Sequence, residues 1–254
     1  MIDIARLQSL IPSSALRVYE ETASTNRDAR AWLLEGAAHG DLVLADRQTG
    51  GRGRLGRSFF SPEGGLYMSL VLKTDAPAGT VTTLCAVAVR RAIRKAAGIE
   101  TNIKWVNDLQ YRGKKVCGIL CENVWSGNES LGMIAGIGVN VFGNAFPPEL
   151  ADIASSLYPD QSTAPFAMEQ LAASIWEEIL SGLGCLPAHM AEYRRHCITL
   201  GKAIYFTENG QTIHAFALDA EDDGALRIRL NDGSVRILAA GEVTVRPFDA
   251  QTVL

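Results

Sequence analysis

Gln48-Thr49-Gly50-Gly51-Arg52-Gly53-Arg54-Leu55-Gly56-Arg57 sets four glycines and three arginines in ten residues. Glycine lets the main chain reach positive φ and come close to a ligand, so successive N–H groups can point into one concavity. Interleaved arginines add fixed, forked donors. The stretch is suited to an anion, with phosphate the obvious guest, and how it is read decides the fold. Gly51-x-Gly53-x-x-Gly56 spells the dinucleotide fingerprint, and Asp75 lies near the place of the ribose-binding acid. That fingerprint needs its last glycine to open a helix. Here Arg57-Ser58-Phe59-Phe60-Ser61 runs into Pro62, Gly64 and Gly65, which break one. Bulky Arg52 and Arg54 also crowd a tight strand-to-helix turn. No Lys-Ser or Lys-Thr pair follows the glycines, so a nucleotide-hydrolase phosphate loop fails too. What remains is an anion-binding loop between two strands, weighed against a solvated surface loop rich in glycine and arginine.

Working outward, the apolar runs 42–45 and 66–72 read as strands on either side of the loop. Ser24-Thr25-Asn26 precedes Ala29, Trp32 and Leu33, which predicts an N-capped helix ending near Gly36. Helical spacing runs from 81 to 97 with a stop at Gly98, and 103–106, 116–122 and 131–141 read as further strands. Helices are expected over 166–180 and 187–197. This order predicts an α+β domain, a mixed β-sheet flanked by helices, over residues 1–198. From Thr199 the texture changes to short strands at 203–207, 211–218, 225–230, 234–238 and 242–245. Asn209-Gly210, Asp223-Gly224 and Asp232-Gly233 separate them as hairpin signals. A small SH3-like barrel is expected over 199–254.

Composition narrows the function classes. The chain has 254 residues, 47% of them hydrophobic, and a formal net charge of −4, so a basic nucleic-acid patch would work against the field of the whole molecule. The arginine cluster better suits a small anion. Five cysteines form no CxxC pair and four histidines supply no metal-ligand spacing, so the thiols read as reduced and mostly packed. No charged-then-apolar leader and no apolar run of about 18 residues occurs, which makes the cytoplasm the default, with no membrane partner. Asn128 then heads a chance sequon. Residues 1–18 are too short for a helix-turn-helix domain, so no DNA partner is expected.

The loop has polar company. Lys104-Trp105-Val106-Asn107-Asp108-Leu109 and Arg112-Gly113-Lys114-Lys115-Val116-Cys117-Gly118-Ile119-Leu120 surround one expected hairpin, and Gly136-Ile137-Gly138-Val139-Asn140 ends an apolar strand in an amide. Each alone reads equally as an ordinary turn or strand end. Together with Ser24-Thr25-Asn26, the glycine-arginine loop, Phe60-Ser61-Pro62 and Leu66-Tyr67-Met68-Ser69, they stand in the order found in biotin–protein ligases. The chain resembles that family from about residue 20 to 246, where Gly241-Glu242-Val243-Thr244-Val245-Arg246 matches the closing motif of its small C-terminal domain. The form implied is monofunctional, without an N-terminal DNA-binding domain.

The resemblance implies an enzyme that forms biotinyl-5′-adenylate and pyrophosphate from biotin and ATP with Mg2+, then passes biotin to one lysine of a biotin carboxyl carrier domain. It assigns biotin to Ser24, Thr25, Asn26, Gln48, Gly51, Arg52, Gly53, Arg54, Lys115 and Gly118. It assigns ATP to Arg52, Arg54, Arg57, Phe59, Asn107, Lys115, Asn140 and Arg246. Catalysis falls to Lys115, Arg54 and Asp108; metal ligands stay unknown. The chemistry fits: a neutral ureido ring suits uncharged donors and acceptors, whereas cations must screen a carboxylate approaching an α-phosphorus. Asp108, as an ordinary carboxylate, suits positioning of the incoming amine better than deprotonating it. Three departures stand out: Phe59 replaces a usual tryptophan, Val106 a usual proline and Gly50 a common alanine. A lipoate or octanoate ligase is the competing enzyme, and a nucleic-acid-binding module the competing class. A homodimer through the main sheet is compatible with all of this.

Overall fold

The computed structural model of the chain describes residues 2–143, 146–239 and 243–245. The main sheet holds β1 (Leu16–Thr22), β2 (Leu42–Gln48), β3 (Gly65–Leu72), β4 (Asn102–Lys104), β5 (Asp108–Tyr111), β6 (Lys114–Ser126) and β7 (Glu129–Asn140). Its strand order is β1-β2-β3-β7-β6-β5-β4. Only β1 and β2 are parallel, joined through helix α2 (Thr25–Leu34); every other pair is antiparallel. The sheet is therefore mixed and flanked by helices, as the sequence predicts.

Alternation along the strands sorts the two faces. On one face Leu66, Met68 and Leu70 of β3 and Met133, Ala135 and Ile137 of β7 join the large core with α3 (Ala78–Ala97) and α4 (Met168–Leu183). Helix α3 is buried along most of its length and stops at Gly98, whose φ of 66° is a left-handed cap. On the other face α2 is the one helix among the described residues that covers the sheet, through Ala29 and Leu33 against Val43, Val71, Val124 and Ile134. Among the described residues no other helix lies on that face, and there the site lies.

Three elements escape the sequence reading: α1 (Ile4–Leu10), β1 and β5. The strand expected over 103–106 ends at Lys104, and residues 105–107 turn the chain into β5. The helix expected over 187–197 is α5 (Met190–His196), and 166–180 becomes α4, shifted by two or three residues.

Beyond Thr199 lies a second, antiparallel sheet of β8 (Ala203–Glu208), β9 (Gln211–Ala220), β10 (Leu226–Leu230), β11 (Val235–Leu238) and β12 (Thr244–Val245), in the order β11-β10-β9-β8-β12. Asn209 and Gly210 have φ of 50° and 77°, the paired left-handed residues of a tight hairpin. The β9–β10 turn docks on the main domain. Trp105 Nε1 donates to the Gly224 carbonyl at 2.9 Å, and Thr80 Oγ1 donates to the Asp222 carbonyl at 3.3 Å. Arg194 donates to the Ala220 carbonyl at 2.8 Å and to Asp222 Oδ1 at 2.6 Å. At Gly79 a Cβ would run into the Asp223 carbonyl, so the close approach requires glycine there.

Candidate active site

The floor is made of missing side chains. Antiparallel register puts Tyr67, Gly138, Gly118 and Asp108 in one row across β3, β7, β6 and β5, with Ser69, Gly136 and Leu120 in the next. Cross-strand neighbours share a face, so three glycines form a trough bounded by Asp108 on one side and Tyr67 and Ser69 on the other. The Phe59 ring fills it: a Cβ on Gly138 would lie 2.5 Å, and one on Gly118 2.8 Å, from its ring carbons. At Gly136 a Cβ would overlap the Asn26 amide.

Lys115 reaches this face through a β-bulge. The β5–β6 register shifts between Leu109 and Gln110, leaving Val116 as the extra residue; Val116 and Cys117 both enter the core. Lys115 then lies on the Gly118 side, where a Gly118 Cβ would meet its Cε and Nζ at 3.1 Å. Its Nζ is 2.7 Å from Asp108 Oδ1 and 5.5 Å from the centre of the Phe59 ring. The segment beside it is pinned by Lys115 N–H to the Ile153 carbonyl, 2.8 Å, and Ser155 N–H to the Lys115 carbonyl, 2.9 Å.

The glycine-arginine loop is a narrow two-armed excursion between β2 and β3. Phe59 N–H donates to the Gly51 carbonyl at 2.8 Å and Gly53 N–H to the Arg57 carbonyl at 2.7 Å. A short turn over Arg54–Gly56 makes the tip. Of the loop's glycines only Gly56 has a positive φ, 74°, beside exposed Leu55 at 57°. Gly51 is required for a different reason, because a Cβ there would strike the Phe59 carbonyl. Arg54 Nη1 reaches Asn107 Oδ1 at 3.4 Å, while Asn107 Nδ2 donates to the Ile119 carbonyl at 2.9 Å. Arg52 turns the other way, its Nη2 2.8 Å from Glu122 Oε1.

Behind Arg52 lies a recess of neutral polar groups. Ser24, Thr25 and Asn26 are buried at the start of α2, and the Ser24 hydroxyl makes no capping bond. Gln48 Oε1 accepts from Thr25 N–H at 2.9 Å and lies 3.1 Å from Thr25 Oγ1; its Nε2 donates to Ser61 Oγ at 2.9 Å. Ser69 Oγ lies 2.8 Å from Thr25 Oγ1 and 2.7 Å from Asn26 Oδ1. Asn26 Nδ2 donates to the Leu120 carbonyl, 3.2 Å, and to Glu122 Oε2, 2.8 Å. The recess, about 310 Å³ counting space open to solvent, lies beside a likewise open cleft of about 660 Å³ lined by Arg54, Asn107, Asp108 and Lys115. Arg52, Phe59 and Gly118 line both.

Known proteins resemble this chain in fold and sequence. Residues 18–140 match the Biotin/lipoate A/B protein ligase family and residues 199–246 the Biotin protein ligase C terminal domain. The chain is 36% identical to the Bifunctional ligase/repressor BirA of Bacillus subtilis, over 92% of this chain and 75% of that protein. It belongs to the biotin protein ligases. It is thus a ligase by family. A Biotin--[acetyl-CoA-carboxylase] ligase of Paracoccus denitrificans is 31% identical over 87% of this chain and 97% of its own. The biotin protein ligase of Aquifex aeolicus, solved with biotin and ATP, superposes with a TM-score of 0.77 at 26% identity, covering 91% of this chain and 98% of that one.

Within this biotin protein ligase fold, Ser24, Thr25, Asn26 and Gln48 gather in the recess, with Gly118 in its floor. Arg52, Gly53, Arg54, Arg57, Phe59, Asn107, Asp108 and Lys115 gather in the cleft. Gly51, in the arm of the loop that bonds to Phe59 N–H, lines neither. Asn140 stands apart, at the end of β7 beside a hollow of about 370 Å³ lined also by Phe60, Tyr67 and Phe142; its Nδ2 donates to the Ser155 carbonyl at 3.2 Å. Arg246 falls outside the described residues. The sequence reading assigns no role to Glu122 or Ser69, although their alternation with Leu120 and Tyr67 places them on the site face once the register is known. Trp105 sits buried in the Lys104–Asp108 turn and reaches the second sheet with its indole N–H. Among the described residues no group of three or more His, Cys, Asp or Glu could hold a metal. No helix among them is long and apolar enough to cross a membrane.

Proposed function

We propose that this chain activates biotin with ATP and transfers the biotinyl group to a lysine of a biotin carboxyl carrier domain. The observation that carries the reading is the sharing of Arg52, Phe59 and Gly118 between a neutral recess and a cationic cleft. Ser24, Thr25 and Gln48 bind the ureido ring there, with Asn26 bracing them through bonds already spent on Ser69, Leu120 and Glu122. The carboxylate then points toward Lys115.

In the first step a biotin carboxylate oxygen attacks the α-phosphorus of ATP, and the bond to the departing pyrophosphate oxygen breaks. Negative charge grows on the phosphoryl oxygens, where Lys115, Arg54 and Arg52 stabilise it. Arg57, Asn107 and Phe59 hold the nucleotide, and the resemblance assigns Asn140 and Arg246 to it as well. Gly51 and Gly53 give the loop the close backbone it needs to close over the adenylate and exclude water from a hydrolysable anhydride. Mg2+ arriving with ATP would supply a hard cation that offsets phosphate charge, and no residue is assigned to hold it. In the second step a neutral carrier lysine attacks the acyl carbon, AMP leaves, and the amine loses a proton. Asp108, paired with Lys115 at 2.7 Å, positions the amine.

We assign residues 1–198 to catalysis and 199–254 to the C-terminal domain. The five cysteines are unpaired, which suits a reducing cytoplasm. The reading assigns ligation alone, and specific DNA binding by the purified chain would overturn that part. The open edges β1 and β4 offer a route to a homodimer, which sedimentation tests.

The deciding experiment is pyrophosphate exchange into ATP with biotin, lipoate, octanoate or no acid. Exchange with biotin alone is expected. Exchange with lipoate or octanoate instead moves the chain to the sister activity, and exchange with none removes adenylation from the reading.

A further inference from the structure

We infer that Glu122 is a positioning residue that holds Arg52 back from the phosphoryl end of the cleft until an anionic ligand takes its place; the inference rests on the biotin-activating reading above. Glu122 lies on the site face of β6, four residues beyond Gly118, which at about 3.3 Å per residue is roughly 13 Å along the strand. Lys115 and Asn107 line the cleft on the opposite side of Gly118. An arginine parked on Glu122 therefore faces away from them.

Both Glu122 oxygens are engaged, Oε1 with Arg52 Nη2 and Oε2 with Asn26 Nδ2, each at 2.8 Å. The Asn26 contact ties the carboxylate to the frame of the recess. The Arg52 contact is a single bond and not a fork, and the side chains are 53% and 30% exposed, so it exchanges readily. The two loop arginines thus straddle the Phe59 ring, Arg54 turned to Asn107 and Arg52 to Glu122. A phosphate at the Lys115 end competes with an internal carboxylate for the same guanidinium. Glu122 stands in for the ligand's charge in the free protein and gives Arg52 up on binding.

The test is Glu122→Gln, which keeps a carbonyl oxygen for Asn26 and removes the charge that holds Arg52. Calorimetric titration compares the neutral alcohol of biotin with the same alcohol joined to AMP through a phosphodiester. We expect the phosphodiester to bind about two- to fivefold more tightly to the variant, the alcohol to be unchanged, and the gain to shrink as salt rises. Weaker or unchanged phosphodiester binding would overturn the inference, as would an equal change for the alcohol. Glu122→Ala, which also strips Asn26 of its acceptor, should weaken the alcohol while the phosphodiester keeps the same gain relative to it. If the wild-type chain shows biotin-dependent exchange and the variant shows no gain, Glu122 alone is misassigned. Absence of exchange in the wild type overturns the activity, and this inference with it.

Discussion

A methyl group placed on Gly138 would meet a carbon of the Phe59 ring, which no hydrogen bond holds, whereas one placed on Gly136 would strike an Asn26 amide held by Ser69, Leu120 and Glu122. The two substitutions should separate. Gly138→Ala is expected to leave the urea midpoint nearly unchanged while biotin affinity, read by titration, drops at least tenfold, about 1.4 kcal/mol. Gly136→Ala should cost about 1–3 kcal/mol of stability by overpacking. Equal stability losses would mean that Phe59 is fixed. On the role proposed for Lys115 at the phosphoryl end, Lys115→Ala should slow biotin-dependent pyrophosphate exchange by about 10²–10³, as when a preorganised donor is lost. An unchanged rate would remove Lys115 from the first step. The sequence reading singles out Asn26, Phe59 and Lys115, and gives Gly136 and Gly138 only as part of a strand-end motif. Their geometry is less legible: the glycine trough depends on register, and Lys115 turns outward only because Val116 bulges, which two successive apolar letters do not announce.

Helices α3 and α5 meet through His189, just before α5, whose Nε2 lies 2.8 Å from Thr83 Oγ1 on α3. Burial, joined by the nearby charges of Arg91 and Arg194 and opposed by Asp222, lowers the His189 pKa to about 4. An unfolded histidine titrates near 6.5. Between these values the unfolded chain binds the extra proton, so the His189 contribution is fully retained above about pH 6.5 and lost as pH falls toward 4. Urea midpoints should decline over that window, and His189→Gln should flatten the decline; an equal slope in the variant would place the titration elsewhere. Glu192, which burial raises but Arg91 and Arg90 pull down further, loses its contribution at lower pH than an ordinary glutamate. At this scale the sequence is most readable where the period is clean, as in α3 and in the Asn-Gly and Asp-Gly hairpins. It fails at β1, an edge strand only partly buried along Leu16–Val18, and at β5, whose four residues are too few for a pattern. Lys104 ends its strand early because Trp105 must turn inward to the second sheet.

The two sheets share one apolar core, with Ile204, Phe206, Leu226 and Ile228 in the same cluster as Val81 and Val106. The Lys104–Asp108 turn is held from both sides, by Thr199 Oγ1 accepting from Trp105 N–H at 3.0 Å and Tyr193 Oη donating to the Val106 carbonyl at 3.1 Å. Trp105→Phe keeps the ring and removes the bond to Gly224, leaving a carbonyl unpartnered at a cost of about 1–3 kcal/mol. Thermal unfolding should show the loss, and steady-state kinetics should show kcat falling with the KM for biotin unchanged, because the recess hangs from α2 and β2. A raised KM with kcat intact would break that division. The second sheet is readable from its hairpin dipeptides; its grip on the site is not, since Gly224 contributes only a carbonyl and any residue carries one. The chain of hydroxyls and amides from Asn26 through Ser69 and Thr25 to Gln48 has a further consequence. Asn26 Oδ1 can only accept, so Ser69 gives it its one proton, and Thr25 must spend its own on Ser69 or on Gln48. Either way Thr25 has no proton left for the recess: a polar group that enters meets a lone pair there, and a carbonyl finds its donors in the Ser24 hydroxyl, which makes no capping bond, and in the second N–H of Gln48 Nε2.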